Sequence, residues 1–231
     1  MNVVVIISAD IEWRSICKLH AHVDIFHSPM GEWFLDEIEV FQKRESIRYF
    51  HGGWGKISAA ASTQYVIDQW RPDLLINLGT CGGIKGQIDN GIVVLVDRTI
   101  VYDIIEQMGD NIAATAYYTT DLDLSWLGKD YPMDVIKTSI VSADRDLIVQ
   151  DIPHLKRLYG AQAGDWESGA IAFVASKNNT PLLILRGVTD LVDESGGEAY
   201  GHIELFEQTA HIIMQRLDQS LSGWLEIAGV L

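Results

Sequence analysis

Residues 164–190 read GDWESGAIAFVASKNNTPLLILRGVTD, and the fold is decided in this stretch. The small and apolar residues 169–175 predict a buried helix, and Asp165 and Glu167 precede it, where the helix dipole favours negative charge. An Asn-Asn-Thr-Pro turn ends the helix. The all-apolar run LLIL at 182–185 then predicts a strand covered on both faces. The stretch therefore indicates a helix followed by a buried strand of an α/β sheet.

Two charged residues, Arg186 and Asp190, follow that apolar strand. In open α/β sheets, ligands bind beyond the carboxyl ends of the strands, so the pair predicts a ligand site. A salt bridge that closes the strand end is an equally simple interpretation of the same two residues.

The rest of the 231-residue chain alternates between strand and helix patterns. This alternation predicts an α/β fold in which a central mixed, mainly parallel β-sheet is flanked by helices, in a single domain over residues 1–231. The aromatic-rich span 98–132 is irregular and indicates a lid or a subunit contact. The predicted strands lie at 3–7, 33–41, 47–51, 74–76, 92–96 and 138–143, and the predicted helices at 11–19, 56–70 and 197–224.

The composition argues against several classes of function. With 17 Lys and Arg against 32 Asp and Glu, the formal net charge is −15, which opposes binding to nucleic acid. No apolar run approaches the roughly 18 residues of a membrane span, so we expect no membrane contact. The two cysteines, Cys17 and Cys81, cannot form a disulfide framework, and the N-terminus does not resemble a signal peptide. These features predict a cytoplasmic protein.

Three tempting motifs fail on closer inspection. The run GKIS at 55–58 lacks the first glycine and the metal-binding hydroxyl of a phosphate loop. His20, His22 and His27 form a loose trio in a polar stretch, which indicates solvated surface more than a metal site. Cys81 has no histidine nearby in sequence to activate its thiol, so a buried packing role is the better interpretation.

Acidic residues at strand ends remain as candidates for chemistry. Glu12 follows the first strand, Glu167 precedes the buried helix and Asp190 follows the last strand. Paired carboxylates suit cleavage through an oxocarbenium-like transition state, in which one acid protonates the leaving group and another activates water. This chemistry requires neither a metal nor a cofactor, and we expect neither.

Four motifs carry a family resemblance. GKISAA at 55–60, NLGTCGG at 77–83, DWESGAIA at 165–172 and RGVTD at 186–190 together resemble the nucleoside phosphorylase superfamily. Within it, the chain looks most like the 5′-methylthioadenosine/S-adenosylhomocysteine nucleosidases, over nearly its whole length. The resemblance implies a three-layer fold and hydrolysis of the N-glycosidic bond of a purine nucleoside, which gives a free base and a ribose moiety.

The same resemblance implies a role for each motif residue. Asp190 matches the acid that protonates purine N7, Glu12 the residue that activates water, and Glu167 the carboxylate that holds the ribose hydroxyls. Arg186 and Thr80 are implied to help hold the nucleophilic water. The remaining residues implied to bind substrate are Cys81, Gly82 and Leu147 along the base, Asp146 at the base edge, Trp166 under the ribose and Tyr200 in the 5′ pocket.

Two departures from the family pattern leave the substrate open. Trp166 stands where nucleosidases usually have methionine, and Asp146 replaces the aromatic residue that commonly stacks on adenine. A carboxylate near the base edge would accept N–H donors of a different base, which favours guanine- or hypoxanthine-like ligands. A futalosine-type hydrolase also fits the motifs.

A phosphate-dependent purine nucleoside phosphorylase and a non-catalytic nucleoside-binding protein are the competing functions. Phosphorolytic relatives usually carry arginine at the place of Asn77 and a basic loop after the first strand, whereas here that loop is acidic and would repel phosphate. Water is therefore the expected nucleophile. A binding protein would have less need of Glu12.

The family resemblance also bears on assembly. It implies a homodimer or larger homo-oligomer, and the aromatic-rich span 102–131 is the candidate contact.

Overall fold

The fold is a mixed β-sheet with helices on both of its faces. The computed structural model describes residues 2–193 and 195–229, so the ends of the predicted domain at residues 1 and 231 lie outside the described residues. The described strands are β1 (Val3–Ile7), β2 (Phe26–Ser28), β3 (Gly31–Val40), β4 (Lys43–His51), β5 (Leu74–Ile84), β6 (Val93–Val101), β7 (Thr119–Asp121), β8 (Ile136–Ser142), β9 (Ala163–Asp165), β10 (Leu182–Asp193) and β11 (Gly196–Gly197). The described helices are α1 (Asp10–Leu19), α2 (Gly55–Trp70), α3 (Asn111–Tyr117), α4 (Ile152–Tyr159), α5 (Ser168–Lys177) and α6 (Ile203–Ile227).

Parallel pairing holds the centre of the sheet together. β1 pairs in parallel with both β4 and β5, and β5 pairs in parallel with β10. β6, β8 and β9 are joined by further parallel pairs. Antiparallel pairs of β10 with β6 and of β5 with β9 close these strands into a ring, and β2 to β4 form an antiparallel edge. The predicted mixed α/β sheet is confirmed.

Alternate residues of β1 face two different helical layers. All five residues of the strand are buried. Val3, Val5 and Ile7 pack into a core cluster with α1 and α6, whereas Val4 and Ile6 pack with α2 and α5. Because successive side chains of a strand point to opposite faces, the sheet is the middle of three layers.

Two strands are longer than the sequence predicted. β5 continues from the predicted strand at 74–76 through the glycine-rich residues 79–83, and β10 continues past Arg186 and Asp190. The two strands pair in parallel along most of their length, with one register shift between Val188 and Asp190. The glycines of β5 serve close packing instead of chain reversal. A Cβ atom on Gly79 would lie 1.8 Å from Arg186 Nη1.

The expected surface position of His20 is wrong. The side chain is buried, with Nδ1 2.5 Å from Asp36 Oδ2 and Nε2 3.1 Å from Asp218 Oδ1. Burial alone would lower the pKa of His20, but the hydrogen bonds and charges of Asp218 and Asp36 outweigh it and raise the pKa. His20 therefore ties α1 to β3 and α6. In the described part of the chain, no group of three or more His, Cys, Asp or Glu side chains is arranged to hold a metal.

The end of the chain and the irregular span also differ from expectation. The last helix starts at Ile203 instead of residue 197, because residues 196–197 pair with β10 as β11. The span 98–132 contains α3 and β7. Across residues 2–193 and 195–229, no helix has the length and hydropathy needed to cross a membrane.

Candidate active site

A cavity of about 600 Å³ is lined by residues from the start of α1, from β5 and β10, and from the segments after β8 and β9. Every predicted site residue except Arg186 lines it. These residues are Glu12, Thr80, Cys81, Gly82, Asp146, Leu147, Trp166, Glu167, Asp190 and Tyr200. Residues predicted from separate motifs are therefore brought to one place.

Glu12 is held firmly in the first turn of α1, just beyond β1. An acidic side chain is favoured at this end of a helix. Glu12 Oε1 accepts hydrogen bonds from the Thr80 backbone nitrogen at 2.6 Å and from Thr80 Oγ1 at 2.8 Å, and Oε2 accepts one from Ala9 N at 3.3 Å. The residue is buried, with 2% of its surface exposed. The carboxylate is thus fixed at the cavity wall.

Arg186 lies beneath the cavity and has no exposed surface. Its guanidinium donates to Asn77 Oδ1 at 2.7 Å and to Ser168 Oγ at 2.9 Å, and its Nε lies 3.0 Å from Asp165 Oδ2. The closest oxygens of Glu12 and Glu167 are 4.0 and 3.9 Å away. Burial lowers the pKa of Arg186, but the surrounding carboxylates outweigh it and raise the pKa. Arg186 is therefore a permanently charged cation that lies beneath the carboxyl groups of Glu12, Asp165 and Glu167.

Glu167 stands at the N-cap of α5, and its Oε1 accepts a hydrogen bond from Gly55 N at 3.1 Å. Burial raises the pKa of Glu167 to about 8; the positive charge of Arg186 opposes this shift, and the charges of Asp165 and Glu12 add to it. A buried carboxyl with such a pKa keeps its proton at neutral pH in the absence of a ligand. The sequence did not reveal this protonation state.

Asp190 is the second acid at the cavity whose pKa is raised. Burial raises its pKa above the ordinary range, although hydrogen bonds from Thr189 and from the Ala199 backbone work in the opposite direction. The Thr189 hydroxyl donates to Asp190 Oδ1 at 3.0 Å. The charges of Glu198 and Asp146 raise the pKa further. These surroundings suit a general acid.

The loop after β8 is anchored at two points. Tyr200 donates its hydroxyl to the Leu147 carbonyl at 2.7 Å, and Trp166 Nε1 donates to Asp146 Oδ1 at 3.3 Å. Trp166 also stacks on Trp54, with the ring centroids 4.9 Å apart. The loop therefore presents Asp146 and Leu147 to the cavity in a defined position.

Cys81 faces the cavity from β5. Burial raises the pKa of its thiol well above the ordinary range, and the charges of Asp165, Asp190 and Glu12 add to the shift while Arg186 opposes it. A protonated, buried thiol is inert. Cys81 is therefore a packing residue and does not resemble a nucleophile.

Several residues of the site were not predicted. Trp54 lines the cavity mouth, Phe206 contributes from α6, and Asp165 and Ser168 hold Arg186 from below. Asp165 and Ser168 both belong to the DWES run at 165–168, and the two acidic residues of that run were the sequence feature that could have pointed to them. No pattern in the sequence predicts that Trp54 or Phe206 lines the cavity, because their position there depends on contacts between distant parts of the chain.

Comparison with known proteins identifies the family. Residues 26–226 match the model of the phosphorylase superfamily. A 5′-methylthioadenosine/S-adenosylhomocysteine nucleosidase from Buchnera aphidicola is 28% identical over 164 residues, which cover 66% of this chain and 71% of the relative. One of the same name from Thermotoga maritima is 27% identical over 187 residues, covering 73% and 83%.

Solved structures share the fold. The 5′-methylthioadenosine/S-adenosylhomocysteine nucleosidase from Neisseria meningitidis, in complex with methylthio-immucillin-A, has a TM-score of 0.74 and 19% identity, over 98% of this chain and 99% of that chain. The apo 5′-methylthioadenosine nucleosidase from Arabidopsis thaliana has a TM-score of 0.75 and 22% identity, over 99% and 96%. The resemblance seen in the motifs is thereby confirmed, and the chain belongs to the phosphorylase superfamily.

Proposed function

We propose that the protein is an N-ribosyl hydrolase that cleaves the N-glycosidic bond of a purine nucleoside, and that Asp190 and Glu12 are its catalytic residues. The observation that carries the proposal is that these two acids and Glu167 line the same cavity. Relatives that match most of this chain are named as nucleosidases, which supports the same reaction.

The proposed step transfers one proton to the base and removes one from water. Asp190 donates its proton to purine N7 while the bond from C1′ to the base breaks and its electron pair goes to the base. Glu12 takes a proton from the water whose oxygen bonds to C1′. The products are a free purine and a ribose moiety. Glu167 holds the ribose hydroxyls in this scheme.

Arg186 has a positioning role in the proposal, because it is buried beneath the cavity and does not line it. Its charge offsets the repulsion between Asp165 and Glu12, and it also favours the ionised form of Glu167. Thr80 orients Glu12 through two hydrogen bonds.

The acidic loop after β1 supports water over phosphate as the nucleophile. Asp10 and Glu12 both line the cavity there. A phosphate ion would meet the negative charge of this wall, whereas a neutral water molecule would not.

A nucleoside panel tests the proposal. The protein is incubated with purine nucleosides and their 5′-methylthio derivatives, with and without phosphate, and the free base is measured by chromatography. We expect base release without phosphate, and Asp190→Asn should reduce it by about 10²- to 10⁴-fold while ligand binding stays measurable. Release of ribose 1-phosphate, or full activity in Asp190→Asn, would overturn the proposed mechanism.

For the assembly we propose a homodimer or larger homo-oligomer. Exposed apolar side chains occur in two segments of the chain, one at the start of α2 and the other just before and within α3. An ion pair between Lys56 and Asp103 connects the two segments. The exposed apolar side chains are Trp54, Ile57, Ile105, Met108 and Ile112. Light scattering should show an oligomer that Ile112→Glu weakens, and a monomeric wild type would refute this part.

For the compartment we propose the cytoplasm. Cys17 and Cys81 are both free thiols, which suits a reducing environment.

A further inference from the structure

The carboxylate of Asp165 has hydrogen-bond donors on both of its oxygens. Its Oδ1 accepts from Ser142 Oγ at 2.6 Å, and its Oδ2 accepts from Ser168 N at 3.0 Å and from the Ser168 hydroxyl. Arg186 Nε lies 3.0 Å from the same Oδ2. Ser142 is itself fixed, because its Oγ accepts a hydrogen bond from Gly169 N at 2.9 Å. The acceptors of Asp165 are therefore occupied by the protein before any ligand binds.

Two further carboxyl groups face the same guanidinium from a greater distance. Arg186 Nη1 lies 4.0 Å from Glu12 Oε1, and Nη2 lies 3.9 Å from Glu167 Oε2. Neither distance is short enough for a hydrogen bond. Nη1 has no hydrogen-bond partner at all among residues 2–193 and 195–229. The guanidinium is therefore paired with Asp165 and only borders on the two glutamates.

This arrangement of charges controls the proton of Glu167. The charged groups around it are Arg186 from β10, Asp165 from β9 and Glu12 from α1, and α2 adds the hydrogen bond from Gly55 N. An arginine bonded directly to a carboxyl group favours its ionised form, and a neighbouring anion opposes that effect. Burial raises the pKa of Glu167 to about 8; Arg186 opposes the shift, whereas Asp165 and Glu12 add to it.

We infer that Asp165 is a positioning residue, which acts as the counter-ion of Arg186 and so keeps the guanidinium from pairing with Glu167 and Glu12. The two glutamates are thereby left to exchange protons and hydrogen bonds with a ligand. The inference rests on the proposed function for the roles of Glu12 and Glu167. It gives the two acids of the DWES run separate tasks, since the first compensates the buried arginine and the second faces the ligand.

A carboxyl titration followed by NMR tests the inference without any substrate. Glutamate is labelled with ¹³C at Cδ, Glu167→Gln identifies the signal of Glu167, and its titration midpoint is followed from acid to alkaline pH. We expect a midpoint of about 8 in the wild type. Asp165→Asn keeps the size and one acceptor oxygen but removes the charge. The midpoint should then fall by about one pH unit or more, because Arg186 acts on Glu167 without its nearest counter-ion.

Two further variants separate charge from structure. Ser142→Ala removes a donor to Asp165 but keeps every charge, so it should lower the melting temperature and leave the midpoint almost unchanged. The double change Asp165→Asn/Arg186→Gln replaces the buried ion pair with neutral amides. Because both charges are then absent, its midpoint should lie at or above that of the wild type, and this variant serves as the test if Asp165→Asn does not fold.

The role of Asp165 is overturned by a wild-type midpoint near the ordinary value of 4.5, or by a midpoint that Asp165→Asn leaves in place. An equal shift in Ser142→Ala, or a lowered midpoint in the double variant, has the same meaning. The nucleosidase proposal fails on a different result, namely no base released from any purine nucleoside. That result together with the expected midpoints would refute the proposed reaction and leave the pairing of Asp165 with Arg186 standing.

Discussion

Thr80 donates two hydrogen bonds to a single carboxylate oxygen of Glu12, one from its backbone nitrogen at 2.6 Å and one from its hydroxyl at 2.8 Å. Glu12 belongs to α1 and Thr80 to the middle of β5, so the contact fixes a helical acid against the central sheet. Hydrogen bonds to a charged acceptor are stronger than neutral ones. The orientation of Glu12 therefore depends on a hydroxyl that a single substitution can remove.

Thr80→Val keeps the backbone hydrogen bond and the branched shape but deletes the hydroxyl donor. We expect kcat for nucleoside hydrolysis to fall by about 10- to 100-fold, because one hydrogen bond to a charged group contributes roughly 1.5–3 kcal/mol. The melting temperature should also fall by several degrees, because the folded protein loses the same hydrogen bond. Thr209→Val removes a hydroxyl that donates to the Leu205 carbonyl outside the cavity, and it should leave kcat unchanged. An unaltered kcat in Thr80→Val would show that Glu12 does not need this donor.

Thr189→Val should extend activity to higher pH. The proposed mechanism requires the protonated form of Asp190, so it predicts that the rate falls as the pH rises through the pKa of Asp190. Burial raises that pKa and the Thr189 hydroxyl lowers it, so the loss of the hydroxyl raises it further. The pH profile of kcat is the measurement. A shift of its alkaline limb to lower pH would contradict the assigned acid.

Glu167 makes stability depend on pH. Its ordinary pKa of 4.5 rises to about 8 in the folded protein, so its favourable contribution is complete below 4.5 and is lost as the pH rises through about 8. Glu167→Gln cannot titrate. Urea unfolding at pH 5, 7 and 9 should therefore show a steeper loss of unfolding free energy in the wild type than in the variant. Parallel curves for the two proteins would mean that Glu167 ionises normally.

Arg186→Lys tests the buried cation. Lysine keeps the charge but cannot reach Asn77, Ser168 and Asp165 together, so buried acceptors lose their partners. Breaking a buried ion pair typically costs about 3–5 kcal/mol, which for a chain of this size lowers the melting temperature by roughly 10 °C or more. The matched change Arg216→Lys affects an exposed guanidinium bound to the Gly91 carbonyl and should have almost no effect. Equal melting temperatures for the two variants would remove the structural role of Arg186.

The sequence predicted the layers of the fold well because its buried strands are unambiguous. VVVII in β1 and LLIL in β10 are apolar without alternation, and both are covered on two faces as expected. The ordered motifs also identified ten residues that line one cavity. The strands were predicted from local hydrophobic patterns, and the cavity residues were predicted from the order of the family motifs along the chain.

Other features could not be predicted because they depend on contacts between distant residues. The glycines of β5 look like a turn until the Arg186 side chain from β10 occupies the space above Gly79. His20 lies in a polar stretch, and its burial is decided by Asp36 and Asp218, the second almost two hundred residues away. Likewise, the depth of Arg186 follows from the pairing of β5 with β10, which no single segment shows.

The parallel pairing of β5 with β10 has a practical consequence for altering the enzyme. Thr80 pairs with Gly187, and Asp190 pairs with Gly82. The distance between Thr80 and Asp190 is therefore set by the backbone pairing of two strands and not by a loop. Two further segments that contribute to the cavity lining, 145–147 and 199–206, lie outside those strands. A combinatorial library confined to these segments would therefore explore new substrates while the reacting groups stay in place.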